Sequence, residues 1–228
     1  MNLLHVSAGY PPFIGGAETY AQAISERFAR SGHQVHVVTT NAGEVEYYWH
    51  PDKKCLGVGL EVQNSVHIDR RPIRHLPLSP WSFYLVRKLA TVMARAPFNT
   101  LPLLRGMAPA MPGVRGLGSA LSAVPDPVDV VHGINISLEW PVVAAWRFAR
   151  RRAIPFVVTP FVHVGEAGRE DVLINYVMPH QLEVLQDADA VIVQSDIEKN
   201  TLHRLGVASE RVFRVGMGVD LDELTGGK

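Results

Sequence analysis

One cysteine, Cys55, is all the thiol this 228-residue chain holds. That excludes an internal disulfide and a cysteine-built zinc site, and leaves an ordinary half-buried thiol suited to a reducing compartment. Excess charge is missing too. The 22 Lys+Arg are matched by 22 Asp+Glu, so the overall balance offers nothing to nucleic acid, and none is expected as a partner. Nowhere do about 18 uncharged apolar residues follow one another, and the opening "MNLLHVSAGYPP" has neither a basic start nor an apolar run long enough for a secretory signal. The expectation is a cytoplasmic protein. There is no internal repeat and no long low-complexity tract. What is present is 47% hydrophobic residues, enough to build the core of one large α/β domain or two small ones.

A local absence is sharper than any global one. From Arg70 to Pro125 no Asp or Glu occurs, while Arg70, Arg71, Arg74, Arg87, Lys88, Arg95, Arg105 and Arg115 stand among many apolar residues. Such a segment suits an anionic membrane surface or a lipid-linked acceptor, with Trp81, Phe83 and Leu85 inserting beside the charges. It equally suits an ordinary basic face, or a flexible Pro/Gly-rich loop around "LPLLRGMAPAMPGVRGLGS".

Elsewhere the periodicity is regular. Leu3 to Val6 is an apolar run, and Ala17, Tyr20, Ala21, Ile24 and Phe28 mark one face of a helix over 17–31, closed by Ser31-Gly32 before the β-rich "QVHVVTT". The alternation resumes with strands at 128–133, 155–160, 190–195 and 211–215, and helices near 138–152, within 169–187 and near 196–205. Between 43 and 127 the pattern is weaker, with strand segments at 59–63 and 65–70 and a helix near 81–96. Short apolar strands alternating with helices predict an α/β, Rossmann-like, doubly wound parallel sheet covered on both faces.

In such sheets ligands bind at the carboxyl ends of strands, and a glycine-rich turn into a helix lets phosphate reach free N–H groups. The loop from Ala8 to Gly16 occupies that place, although its glycines also serve a loop that merely needs unusual backbone angles. "GYPPFIGG" is not the G-x-G-x-x-G of dinucleotide folds, and the second strand ends in Thr39-Thr40-Asn41 with no acid for a ribose, so a dehydrogenase is disfavoured. Asp187-Ala-Asp189 and Asp220 with Asp222 have the D-x-D spacing of metal-dependent transferases. The first falls at a helix end and the second in the tail, whereas a divalent ion needs several oxygens converging on a phosphate-facing loop, so no metal is expected.

Five stretches in order, "GGAETYAQAISERFARSGHQVHVVTT", "VDVVHGIN", "PFVVTPFVH", "ADAVIVQSDIEKNTLHRLG" and "RVFRVGMGVDLDEL", resemble the N-terminal half of a family 4 glycosyltransferase of the GT-B architecture. The resemblance implies two Rossmann-like domains facing across a cleft, the first holding the acceptor and the second a nucleotide-sugar donor. It implies hexosyl transfer with retention to a cell-envelope, polysaccharide or lipid-linked acceptor, with the nucleotide sugar a substrate and no cofactor. Residues 1–215 would be the acceptor-side domain, with a basic Pro/Gly-rich insertion at about 70–125, and 216–228 the start of a linker.

The same resemblance assigns site residues. Gly15 and Gly16 would lie beside the donor diphosphate, on a loop stiffened by Pro11 and Pro12. His163 would touch the donor sugar near the reaction centre as the catalytic candidate. Glu18 would be a cleft residue or an acid complementing the helix dipole, His132 would line the acceptor side, and Ser195 would be a cleft residue or the N-cap of "DIEKN". Because the donor half is not in this sequence, the chain alone is expected to be inactive and to work with further polypeptide. The alternative is a non-catalytic binding or scaffolding half that pairs with a separate donor-domain chain. The basic segment would make the protein peripheral at the inner face of the membrane.

Overall fold

The computed structural model describes residues 1–165 and 172–218. In chain order the elements are β1 (Asn2–Ser7), α1 (Gly16–Arg30), β2 (Gln34–Thr40), β3 (Gly59–Gln63), β4 (Val66–Arg71), β5 (Ile73–Arg74), α2 (Trp81–Ala94), α3 (Leu101–Met107), β6 (Gly113–Val114), α4 (Leu117–Ala123), β7 (Val130–Ile134), α5 (Glu139–Arg152), β8 (Phe156–Thr159), α6 (Pro179–Asp187), β9 (Ala190–Val193), α7 (Asp196–Arg204) and β10 (Val212–Arg214).

Eight strands form one sheet in the order β10-β9-β8-β7-β1-β2-β4-β3. The chain leaves β1 toward β2 on one side and returns through β7 on the other, so the switch of direction lies between β1 and β7, which pair in parallel with His5 opposite His132. The sheet is parallel from β10 to β4, the doubly wound α/β arrangement expected from the sequence, and the edge strand β3 runs antiparallel to β4. Asn64 and Ser65, both at positive φ (50° and 65°), turn the chain back directly, which only an antiparallel pair permits.

Every residue of β1 is buried, as befits a central strand covered on both faces. Its alternate side chains divide the core. Leu3 packs with Val35, Val37, Ile68 and Ala21 on the α1 side, while Leu4 and Val6 pack with Val131, Val142, Phe148 and Val158 on the α5 side.

Helix α1 departs from its apolar pattern. Its buried residues are Glu18, Ala21 and Ser25, and Phe28 is exposed. The buried line is displaced from the apolar stripe because two polar side chains on it have work inside: Ser25 Oγ lies 2.8 Å from His5 Nδ1, and Glu18 folds onto the preceding loop.

The segment 70–125 is folded rather than a flexible loop. Ala90, Leu104, Met111 and Met178 form a small core of their own with Val86, Met93 and Ile174 around it, so α2 and α3 are held against the entry to α6. Cys55 is exposed, not half-buried. Among the described residues no helix is long and apolar enough to cross a membrane.

Candidate functional site

The carboxyl ends of β1, β7, β8 and β9 lead into loops at 8–15, 135–138, 160–165 and 194–195, and two cavities among the described residues open there. The first, of about 410 Å³, lies between the loop after β1 and α2. Arg70 does not line it but holds the loop after β1 from behind. Although it lies in the segment read as a membrane surface, it is 4% exposed. Its Nε donates to Glu61 Oε1 at 2.8 Å, Nη1 to the Tyr10 carbonyl at 3.2 Å, and Nη2 to the Pro11 carbonyl. Arg70 therefore fastens the proline-bearing loop to the sheet and cannot meet a membrane.

Glu18 explains the glycines. Its carboxylate bends back over the loop, so a Cβ on Gly15 would stand 2.2 Å from Oε2 and one on Gly9 2.6 Å from Oε1. Gly15 has an extended φ of −174° that any residue adopts; close approach, not backbone angle, requires glycine there. Gly16 meets nothing within 4 Å. Burial raises the Glu18 carboxyl above the ordinary range, partly opposed by its own backbone N–H. Burial likewise pushes Tyr10 up to about 12, and Tyr48 higher still with the Glu18 charge adding to it.

Arg87, also expected on the membrane surface, turns inward and lines this cavity. Its Nη1 donates to Glu139 Oε2 at 2.6 Å, and Glu139 is fully buried. Gln181 Nε2 donates to the same oxygen at 3.0 Å, and His180 Nε2 lies 2.8 Å from Oε1. A half-buried guanidinium is thus neutralised by a buried acid in the first turn of α5, the pairing such a charge requires.

The second cavity, of about 540 Å³, holds His163, Ser195, Tyr176 and Glu198. His163 is exposed, with its ring 5.5 Å from that of Tyr176. Ser195 Oγ accepts from the Glu198 N–H at 3.2 Å, so it caps α7 and also lines the cavity. Glu198 had no role in the sequence reading, yet it ties the site together: its carboxylate accepts from Val162 N–H at 2.8 Å and Gln194 N–H at 2.9 Å, joining the loops after β8 and β9. The S-x-x-E spacing of Ser195 and Glu198, a helix-start signature, was the available signal.

His132 does not line the acceptor side. Strand β7 runs to Ile134, which puts His132 in mid-strand and buried, with Nε2 2.8 Å from Thr159 Oγ1 and its ring edge-on to His5 at 5.3 Å. Burial lowers both imidazoles, His5 to about 4 and His132 well below the usual range with His5 contributing. Tyr20, whose hydroxyl lies 3.3 Å from Thr159 Oγ1 and whose ring meets Phe161, joins α1 to the loop after β8. Gly15 and His163 open into separate cavities.

Of the other expected surface cations, Arg71 pairs with Asp69 at 2.5 Å, while Arg74, Lys88 and Arg95 are exposed. Phe83 is buried, but Trp81, Tyr84, Leu85, Leu89 and Val92 form an exposed apolar stripe along the outer face of α2. Asp187 and Asp189 are both held by Arg150, at 2.6 and 2.7 Å, and Asp220 and Asp222 lie outside the described residues. Among the described residues no group of three His, Cys, Asp or Glu is arranged to hold a metal.

The model of Glycosyltransferase Family 4 matches residues 14–223. No curated protein matches the sequence. Among solved structures, a sucrose-phosphate synthase from Thermosynechococcus elongatus is similar at 17% identity and a TM-score of 0.52, over 97% of this chain and 49% of that one. HepE from Anabaena, in complex with UDP and glucose, is similar at 13% identity and a TM-score of 0.52, over 97% of this chain and 45% of that one. At these identities the likeness is one of fold, and the chain spans about half the length of either structure.

Proposed function

This chain belongs to glycosyltransferase family 4, and from that premise we propose that it is the acceptor-side domain of a sugar transferase, moving a hexose with retention from a nucleotide sugar to a glycan or lipid-linked acceptor of the cell envelope. The observation that carries this reading is the pair of cavities at the carboxyl edge of the sheet, flanking its switch point. The donor diphosphate lies over the start of α1, where the backbone at Gly15 and Gly16 and the helix's positive end favour an anion. His163 reaches the donor sugar from the second cavity, with Ser195 beside it. UDP and glucose in HepE support a nucleotide sugar as the donor. It is a substrate, and no metal or resident cofactor enters this reading. Residues 1–215 form the acceptor side, 216–228 begin the connection, and a donor-binding domain, in further polypeptide or a separate chain, completes the reaction.

In this reading the domain sits in the cytoplasm on an anionic membrane. The support is α2, whose outer face exposes Trp81 (77%), Leu85 (59%) and Val92 (61%) beside the exposed cations Lys88 and Arg95, in a segment without acids. An apolar stripe with basic neighbours matches the interfacial layer of a bilayer.

The test has two arms. Mixed with a family 4 donor-domain polypeptide, the protein should transfer sugar from a nucleotide sugar, while alone it should show negligible turnover, because the groups that stabilise departing diphosphate are on the other domain. Full activity of the chain alone overturns the division of labour; no transfer after complementation leaves a binding half. In the second arm the protein should sediment with phosphatidylglycerol vesicles. Replacing Lys88 and Arg95 by Gln should weaken this about 30-fold, two charges at roughly 1 kcal/mol each. Equal binding to neutral and anionic vesicles removes the electrostatic part of the claim, and binding to neither removes the membrane claim.

A further inference from the structure

We infer that the free edge of β3 is an interaction surface for a second copy of this chain, two β3 strands pairing antiparallel about a two-fold axis with Leu60 opposite Val62 of the other copy. Strand β3 is the last of the eight-stranded sheet, and each of its five residues is exposed. Leu60 is 83% exposed and Val62 65%. Soluble proteins blunt such an edge with lysine, proline or a very short strand, because its open N–H and C=O groups template pairing with another chain. The sheet's opposite edge, β10, is three residues long and carries Arg214. Strand β3, Gly-Leu-Glu-Val-Gln, has neither lysine nor proline.

The hairpin decides which groups are open. Asn64 and Ser65 form a two-residue turn, so the flanking pair, Gln63 and Val66, is a hydrogen-bonded one, and bonding alternates along the ladder from there. Glu61, opposite Ile68, turns its N–H and C=O toward β4, whereas Leu60 and Val62, opposite Asp69 and His67, turn theirs to the free edge. The side chains of Leu60 and Val62 share one face of the sheet, where they wall a groove of about 430 Å³ with Ala120, Ala123 and Val124 of α4 and the residue after it. The residues with open backbone groups are therefore also those with exposed apolar side chains.

That coincidence selects a second copy. An antiparallel pair is itself two-fold symmetric, so one strand serves as both halves of an isologous contact. Placing Leu60 opposite Val62 of the other copy satisfies the outward groups of both residues in both chains and sets apolar against apolar on the α4 face. On the opposite face Glu61 meets its own copy, but Arg70 already holds each carboxylate at 2.8 Å and offsets the like charges. The neighbouring registers do worse. A shift of one residue sets outward groups against inward ones, and centring the pair on Leu60 needs Val58, which lies beyond Gly59, where a φ of 124° carries the chain off the edge. Two short strands and two apolar side chains from each copy bury less than the roughly 1,200 Å² of a standard interface, so the dimer is weak and depends on concentration.

The test uses the whole chain in free solution, without vesicles, by sedimentation velocity and NMR-detected amide exchange from about 10 µM to about 1 mM. Across that range the protein should pass from monomer toward dimer. Exchange at the Leu60 and Val62 N–H groups should slow severalfold in step, while Glu61 and Gln63, bonded within the hairpin, should not change. Val62→Lys should weaken association at least about tenfold and leave Tm and the exchange of Glu61 unmoved, because the new side chain stands in solvent. Leu85→Ser with Leu89→Ser, on the exposed stripe of α2, should associate like the wild type. A protein that stays monomeric at about 1 mM overturns the proposal. So does a dimer in which Leu60 and Val62 exchange no more slowly, or one that is lost in the α2 variant and kept in Val62→Lys.

Discussion

Helices α1 and α2 break the amphipathic rule in opposite senses. Helix α1 buries Glu18 and Ser25 and exposes Phe28, whereas α2 exposes five large apolar residues and turns Arg87 inward. In both, the misplaced residue has a tertiary reason. The buried polar groups of α1 and the inward arginine of α2 meet partners: Ser25 meets His5, Glu18 covers the glycine loop, and Arg87 meets Glu139. The apolar stripe of α2 has no cover among the described residues. Polar groups placed inside report the chain's own architecture, and the apolar groups left outside are the support for the proposed membrane contact.

The contrast can be broken most severely at Glu139. Glu139→Ala leaves Arg87 and Gln181 without their shared acceptor, and should cost about 3–5 kcal/mol, read as a fall in the urea midpoint. Loss below about 1 kcal/mol would mean that α2 is not anchored through this acid.

On the α1 side the buried histidine gives a pH signature. His5 has a folded value of about 4 against an ordinary 6.5, so the unfolded chain binds more protons between those values. Its contribution is present above about pH 6.5 and is lost as the pH falls toward 4, on the order of 3 kcal/mol in all. Glu18, raised by burial, has the opposite sign: its stabilisation is present below its unfolded value and is lost as pH rises through the folded one. Tm measured from pH 7 to 4 should therefore decline, less steeply in His5→Gln.

Gly15 and Gly16 sharpen the comparison further. Gly15→Ala drives a Cβ into the Glu18 carboxylate and should cost about 1–3 kcal/mol, the loss shrinking in the double variant with Glu18→Ala. Gly16→Ala enters open space at the head of a helix and should be neutral or stabilising by up to about 1 kcal/mol. Equal losses at the two glycines would contradict the packing described. The smallest effect is expected on the outer stripe: Leu85→Ser with Leu89→Ser should leave stability within about 0.5 kcal/mol, because little is buried there.

Much of the fold was readable in advance because strands and helices here alternate with clean periods, and their ends carry chemical marks: Ser31-Gly32 after α1, Ser195 before α7. The site was less so. The first cavity draws on the loop after β1, on Tyr48 and Trp49, on α2 and on Asn135, stretches that nothing local connects. His132 was misplaced because an apolar run followed by histidine and glycine looks like a strand end, while the ladder with β8 continues to Ile134.

The sequence by itself determined the alternating α/β order, the helix start at the glycine pair, the Ser195 cap and the acid-free segment, since each is recorded in neighbouring residues. Only the tertiary structure decided which of that segment's cations remain on the surface. Arg70 and Arg87 are indistinguishable from Lys88 and Arg95 in the chain, but the first two find Glu61 and Glu139. Periodicity records which face of an element is apolar; it holds no information about which distant acid will stand opposite a given charge once the sheet has closed.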